Sequence, residues 1–222
     1  MIKLKYNGHA NISLTKDNIT VLIDPFFTDN PVNKVNPNEV DCDYILVSHA
    51  HFDHIGDAID IAKRTNATII STAEIANMVS DKGLNAHGMN IGGKYDFEFG
   101  SVKVTQAIHS AGIEGGCACG FVINFYGKTI YFAGDTALFL DMQLIGCMNN
   151  IDYALLPIGD NFTMGPKEAV EAVKMLKPKT VMPIHYNTWE PITQSPEKFK
   201  EDVEKNTDAK VVVVNFGDSI EI

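Results

Sequence analysis

Within six residues, His49-Ala50-His51-Phe52-Asp53-His54, this chain places three imidazoles and a carboxylate. Such density does not suit ordinary core packing, because each of these side chains needs a polar partner when buried. Neutral imidazoles and carboxylates together suit Zn²⁺, Mn²⁺ or Fe²⁺. If the stretch stays extended, His49 and His51 point the same way, while Asp53 and His54 turn onto a second centre. The spacing therefore suits two metal ions side by side.

The elements that must position this stretch are legible around it. The apolar run 45–47 reads as a buried strand delivering the motif onto the loop beyond its end, and 57–64 reads as the helix that follows. Further strands are expected over 3–6, 11–15, 19–23, 68–71, 94–99 and 102–108, with a helix over 73–82. A proline- and asparagine-rich loop occupies 26–39. The second half repeats the plan. A hairpin over 120–133 ends in Gly134-Asp135-Thr136, as the hairpin over 12–23 ends in Asp24-Pro25. Asp152-Tyr153-Ala154-Leu155-Leu156-Pro157 answers Asp43-Tyr44-Ile45-Leu46-Val47-Ser48, and a helix over 166–176 leads to a strand ending at His185. A helix over 196–205 and strands over 210–215 and 219–222 close the chain. Two halves that each bury an apolar sheet imply an α/β chain folded as a four-layer αββα sandwich with an internal pseudo-two-fold repeat. No linker divides them, so residues 1–222 are expected to form a single domain.

Composition bounds the function. Of 222 residues, 45% are hydrophobic and 21% charged, which are globular values. A net charge of −10 argues against nucleic acid as a partner. There is no signal-peptide pattern and no apolar run of about 18 residues. Cys42, Cys117, Cys119 and Cys147 form no paired spacing, so reduced thiols, a cytoplasmic location and no membrane attachment are expected.

The motif has the H-x-H-x-D-H form and so resembles the signature of the metallo-β-lactamase superfamily. That family's later ligands have candidates in order: His109 after a strand, Asp135 in Gly134-Asp135-Thr136, and His185 in Pro183-Ile184-His185-Tyr186. The stretches around Asp135, 158–166 and His185-Tyr186-Asn187-Thr188 resemble a branch of small metal-dependent hydrolases related to bacterial L-ascorbate-6-phosphate lactonase. The resemblance implies that His49, His51 and His109 hold one divalent metal and that Asp53, His54 and His185 hold the other, with Asp135 bridging. Two cations about 3.5–4 Å apart clamp a water and bring its pKa toward about 7. The expected reaction is attack of a metal-bridging hydroxide on an ester or lactone of a small, anionic, possibly phosphorylated substrate. Asp53 is the expected catalytic residue, orienting the nucleophile and accepting its proton. The runner-up is a metal-dependent phosphodiesterase or nuclease, and a non-catalytic metal-binding protein is the third class. Superfamily members that reduce dioxygen or nitric oxide place a glutamate ligand where this chain has Ala50, which argues against redox chemistry.

Secondary candidates lie nearby. His9 in Gly8-His9-Ala10, Asn161 and Asn187 are expected to contact substrate, and Trp189 to line the pocket. Asp24 is expected to hydrogen-bond the ligand loop from beneath. His87 lacks a paired ligand and reads as structural. A homo-oligomer is compatible with the sequence.

Overall fold

The computed structural model describes residues 1–222. Fourteen strands form two seven-stranded sheets. The first holds β1 (Lys3–Gly8), β2 (Asn11–Lys16), β3 (Ile19–Ile23), β4 (Tyr44–Leu46), β5 (Thr68–Thr72) and β6 (Ala86–Met89). The second holds β7 (Lys94–Phe97), β8 (Gly100–Gln106), β9 (Cys119–Phe125), β10 (Lys128–Phe132), β11 (Tyr153–Pro157), β12 (Thr180–Ile184) and β13 (Lys210–Val211). The last strand, β14 (Ser219–Glu221), returns to pair with β1 in the first sheet. The helices are α1 (Phe52–Ile55), α2 (Ala58–Thr65), α3 (Ala73–Ser80), α4 (Met142–Met148), α5 (Pro166–Leu176) and α6 (Pro196–Asn206).

The expected repeat is present in topology and in individual bonds. In each sheet an antiparallel run, β1-β2-β3 or β8-β9-β10, continues into a parallel run, β3-β4-β5-β6 or β10-β11-β12-β13. The Thr20 amide donates to the Asp43 carboxylate at 2.8 Å, and the Thr129 amide donates to Asp152 at 2.9 Å. The Asp43 and Asp152 amides return bonds to the Thr20 and Thr129 carbonyls, at 3.0 and 2.8 Å.

Alternation along the parallel strands explains the layering. Leu22, Ile45 and Ile69 are paired across β3, β4 and β5 and pack with Ile61 of α2 and Ile75 and Val79 of α3 in one apolar cluster. Their neighbours Ile23, Leu46 and Ile70 point the other way, into a cluster of 45 buried residues that also draws on the second sheet. Successive side chains of a strand leave opposite faces, so these apolar runs must be covered on both sides. On the second sheet α5 and α6 supply the cover through Ala169, Val173, Leu176, Phe199 and Val203. The αββα sandwich follows. No helix is long and apolar enough to cross a membrane.

Several expectations about elements are corrected. The strand expected over 210–215 ends at Val211, because the chain then leaves the second sheet and reaches the first, where the Gly217 amide donates to the Tyr6 carbonyl at 2.7 Å. The ligand loop contains a short helix, α1, and α4 and β6 were not foreseen. The α4 sequence holds a glycine and has no side-chain cap, so it carries few local helix signals.

Candidate metal centre

Every sequence-predicted ligand lies just past the C-terminal end of a strand at one rim of the sandwich. Asp24 follows β3, the motif follows β4, His109 follows β8, Asp135 follows β10, His185 follows β12, and His9 follows β1. The last two join the sheets directly, since the His185 amide donates to the His9 carbonyl at 2.7 Å. Both adopt left-handed backbone, with φ of 59° at His9 and 55° at His185. Non-glycine residues pay for such conformations, so each needs support from its surroundings. The Tyr6 hydroxyl also donates to the His9 carbonyl, at 2.9 Å. Across the rim, Gly112 presses on the motif: a Cβ there would lie 2.6 Å from the His51 nitrogen.

The seven expected ligands come together. Ligand atoms of His49, His51 and His109 lie within 4.8 Å of one another, and so do those of Asp53, His54, His185 and His9. Asp135 Oδ2 stands between the two groups, 3.2 Å from His54 Nε2, 3.1 Å from His185 Nε2 and 3.7 Å from His109 Nε2. His49 Nε2 and His51 Nδ1 face each other at 3.0 Å. His9 joins the second group, and a third set of neighbouring ligand atoms, Asp24, His49 and His54, links the two from beneath.

Asp24 sets the direction of the ligands from beneath, as expected. It is fully buried and accepts the Ser48 amide at 2.7 Å, the Ser48 hydroxyl at 2.6 Å and His54 Nδ1–H at 2.7 Å. Ser48 Oγ, having given its proton to Asp24, accepts from His49 Nδ1 at 2.9 Å. Both imidazoles are thereby fixed with Nε2 facing inward, where each offers a lone pair once it is in the neutral form. A metal fits this donor set. His54 Nε2, His185 Nε2, His185 Nδ1 and Asp135 Oδ1 are buried without any hydrogen-bond partner. Orphaned polar atoms of this kind are costly, and a cation between them would satisfy several at once.

The electrostatics agree. Burial pushes His49 down to about 2 and, with repulsion from neighbouring histidines, His9 down to about 3, so both are neutral. Burial also lowers His109. Burial alone would lower His54 too, but Asp135 and Asp24 outweigh it and raise it well above the ordinary histidine value. Asp135 is held far below the usual carboxylate range: its burial would raise it, and His185 and His54 overcome that. In Asp53 burial likewise opposes the shift, and the His9 hydrogen bond and the His54 charge pull the carboxyl down. A cation entering here competes with the proton on His54.

The expected substrate contacts are placed differently. His9 is fully buried behind Asp53, with Nε2 3.0 Å from Asp53 Oδ2 and Nδ1 2.8 Å from Thr188 Oγ1. Asn161 and Asn187 stand outside the cavity over the ligands, and the Asn187 side chain instead accepts the Gln194 amide at 2.8 Å. That cavity, of about 510 Å³, is lined by Phe52, Phe162, Trp189 and Pro191 above His51, Asp53, His109, Asp135 and His185, with Ser110 beside them. The sequence pointed to Trp189; Phe52, Phe162 and Ser48 carry no signal that separates them from core or loop residues. His87 packs on Tyr95 and Phe97, with ring centroids 4.2 and 5.2 Å away, and takes no part.

A four-layer sandwich with a histidine and aspartate cluster at one rim is the architecture of a metalloprotein, and relatives of this chain are metal-dependent hydrolases. The model of the beta-lactamase superfamily domain matches residues 20–186, and the chain belongs to that superfamily. Among its relatives is a UPF0173 metal-dependent hydrolase of Natranaerobius thermophilus, 51% identical over the whole of both chains. Its counterpart in Pelotomaculum thermopropionicum is also 51% identical over the whole of both. Igni18, a metallo hydrolase from the hyperthermophilic archaeon Ignicoccus hospitalis, superposes with a TM-score of 0.92 at 38% identity, covering 99% of this chain and 97% of that one.

Proposed function

We propose that residues 1–222 form one domain that binds two divalent cations and hydrolyses an ester or lactone of a small molecule. In this reading His49, His51 and His109 hold one cation, Asp53, His54 and His185 hold the other, and Asp135 stands between them. The observation that carries it is the convergence in one buried cluster of His54 Nε2, His185 Nε2 and Asp135, whose contacts at 3.1 to 3.2 Å are not aligned as hydrogen bonds. Zn²⁺ and Mn²⁺ suit these donors, Fe²⁺ shares them, and no cysteine joins either ligand group to narrow the choice. Cations held here supply Lewis acidity, which polarises a carbonyl and brings the pKa of water toward about 7.

Asp53 is the group that this chain supplies to move the proton. Its Oδ2 accepts the N–H of neutral His9, and the residue lines the cavity floor. His9 in turn is fixed by the Thr188 hydroxyl, so the carboxylate is both aimed and kept ionised. Water adds to the carbonyl carbon, and the bond from that carbon to the leaving oxygen breaks. The proton that Asp53 takes from the water passes to the leaving oxygen.

The cavity wall offers no lysine or arginine to the anionic, possibly phosphorylated substrate expected from the sequence, which favours an uncharged one. The same lack, together with a net charge of −10, weighs against the phosphodiesterase or nuclease reading.

The test is turnover by metal-reconstituted protein on sugar-derived lactones and simple esters beside bis-p-nitrophenyl phosphate and cyclic nucleotides, with His51→Ala as blank. Lactone or ester turnover is expected, and Asp53→Asn should lower kcat by about 10²–10⁴-fold. Full activity at full metal occupancy in Asp53→Asn removes Asp53 from its role. Phosphodiester turnover with silent lactones and esters moves the protein to the runner-up class.

A further inference from the structure

The walls of the cavity differ in chemistry from its floor. Phe52 is 68% exposed and Phe162 is 54% exposed, and both border the same opening above the ligands. Large aromatic side chains left in water are unfavourable, so two of them at one opening call for something to cover them. Phe52 is the residue between His51 and Asp53 in the ligand motif. It stands edge-on to buried Phe26 at 5.8 Å and tilted toward Trp189 at 6.1 Å. Trp189 is itself backed by His9 at 4.9 Å and Phe26 at 6.0 Å, which makes this wall rigid.

Phe162 arrives from a separate loop. It follows Asp160 and Asn161, whose φ values of 62° and 44° place two consecutive non-glycine residues in the left-handed region. The Asn161 amide donates to the Asp160 side chain at 2.9 Å, which supports the turn. The loop thus holds strained backbone while leaving its phenylalanine in the open, and strain of this kind persists where surrounding structure enforces it.

Charge decides what fits. No lysine or arginine lines the cavity, and the only formal charges on its floor besides histidine are the carboxylates of Asp53 and Asp135. Cations on the floor would receive the reacting oxygen. An anionic group at the substrate's other end would meet only ring faces, whose quadrupole is negative. From this we infer that the non-reacting part of the substrate is a neutral apolar group, an aryl or branched acyl chain, taken up between Phe52, Trp189 and Phe162. This rests on the hydrolase reading above and names the substrate class for that same site.

Trp189 is the only tryptophan in the chain, so its emission reports occupancy of this wall without any need for turnover. With metal-reconstituted protein, methyl 3-phenylpropanoate and methyl 3-(4-carboxyphenyl)propanoate form a matched pair differing in a carboxylate on the non-reacting aryl group. N-benzylacetamide serves as an uncleaved neutral probe. The neutral ester is expected to show kcat/KM about tenfold or more above the charged one, since the charged end would be buried without a partner. N-benzylacetamide should change Trp189 emission saturably, and Phe162→Ser, at an exposed position, should raise KM for the neutral ester with little effect on kcat. Equal or faster turnover of the charged ester, with no saturable emission change, overturns the inference while leaving the hydrolase reading intact. Saturable binding of the neutral probe with no turnover of any ester or lactone upholds the apolar wall and overturns the hydrolase reading instead.

Discussion

Asp24 illustrates what a single buried carboxylate accomplishes from beneath a cluster of candidate ligands. It accepts three hydrogen bonds, two from Ser48 and one from His54, and through them it turns His49 and His54 so that their Nε2 atoms face inward. Asp24→Ala should therefore lower metal affinity by about 10–100-fold, read by competition with a chromogenic chelator. Asp24→Asn keeps the volume but turns an N–H toward His54 Nδ1, and it should lose a comparable factor. Wild-type affinity in the asparagine variant would show that shape rather than tautomer control is what matters at this position. At this scale the candidate ligands were legible, the His49–His54 motif by its density of polar side chains and His109, Asp135 and His185 through the family resemblance, and the structure brings all seven into one cluster. Ser48, Thr188, Phe52 and Phe162 were less so. Their roles depend on which segments return to face them, and nothing local in the sequence records that. His9 was expected to contact substrate, but it lies buried against Asp53, 44 positions away, and only the docking of β1 beside the ligand loop reveals that partner.

At the scale of elements, the parallel strands were readable because β3, β4 and β5 are apolar on both faces, whereas the marginal elements were not. α4 spans seven residues without a side-chain cap, and β13 is only two residues long. The repeat also identifies a stabilising bond of its own. Asp152 accepts the Thr129 amide at 2.9 Å and Lys179 Nζ at 2.7 Å, tying the starts of β10, β11 and β12 together. Asp152→Ala should cost about 1 kcal/mol at neutral pH, toward the lower end for a charged hydrogen bond because Lys179 is exposed. Burial alone would raise the Asp152 carboxyl, but Lys179 and the Thr129 amide outweigh it and hold it below 3.8. A carboxyl depressed in the folded state contributes stability above its unfolded value and loses it as pH falls through the folded one. The gap between wild type and Asp152→Ala, measured by urea denaturation, should therefore narrow as the pH drops below about 4. A gap that stays constant through that range would assign the cost to packing rather than charge.

For the molecule as a whole, the important fact is that the ligand cluster straddles two sheets. His49, His51 and His54 come from the first, His109, Asp135 and His185 from the second, and the His185 amide bonded to the His9 carbonyl joins their rims. Sites with contributions from distant parts of a chain form only after costly long-range closure. A metal ion therefore has no complete cradle until both sheets have docked. Added Zn²⁺ or Mn²⁺ should leave the refolding rate in dilute denaturant nearly unchanged while slowing unfolding, as expected for contacts absent from the folding transition state. Faster refolding with metal, followed by stopped-flow Trp189 fluorescence, would place the cluster in the folding nucleus instead. In a cell this ordering separates synthesis from loading. A newly made chain would reach its final shape before acquiring cations, so the ion available at that moment, and not the conditions of translation, would decide which form of the enzyme accumulates.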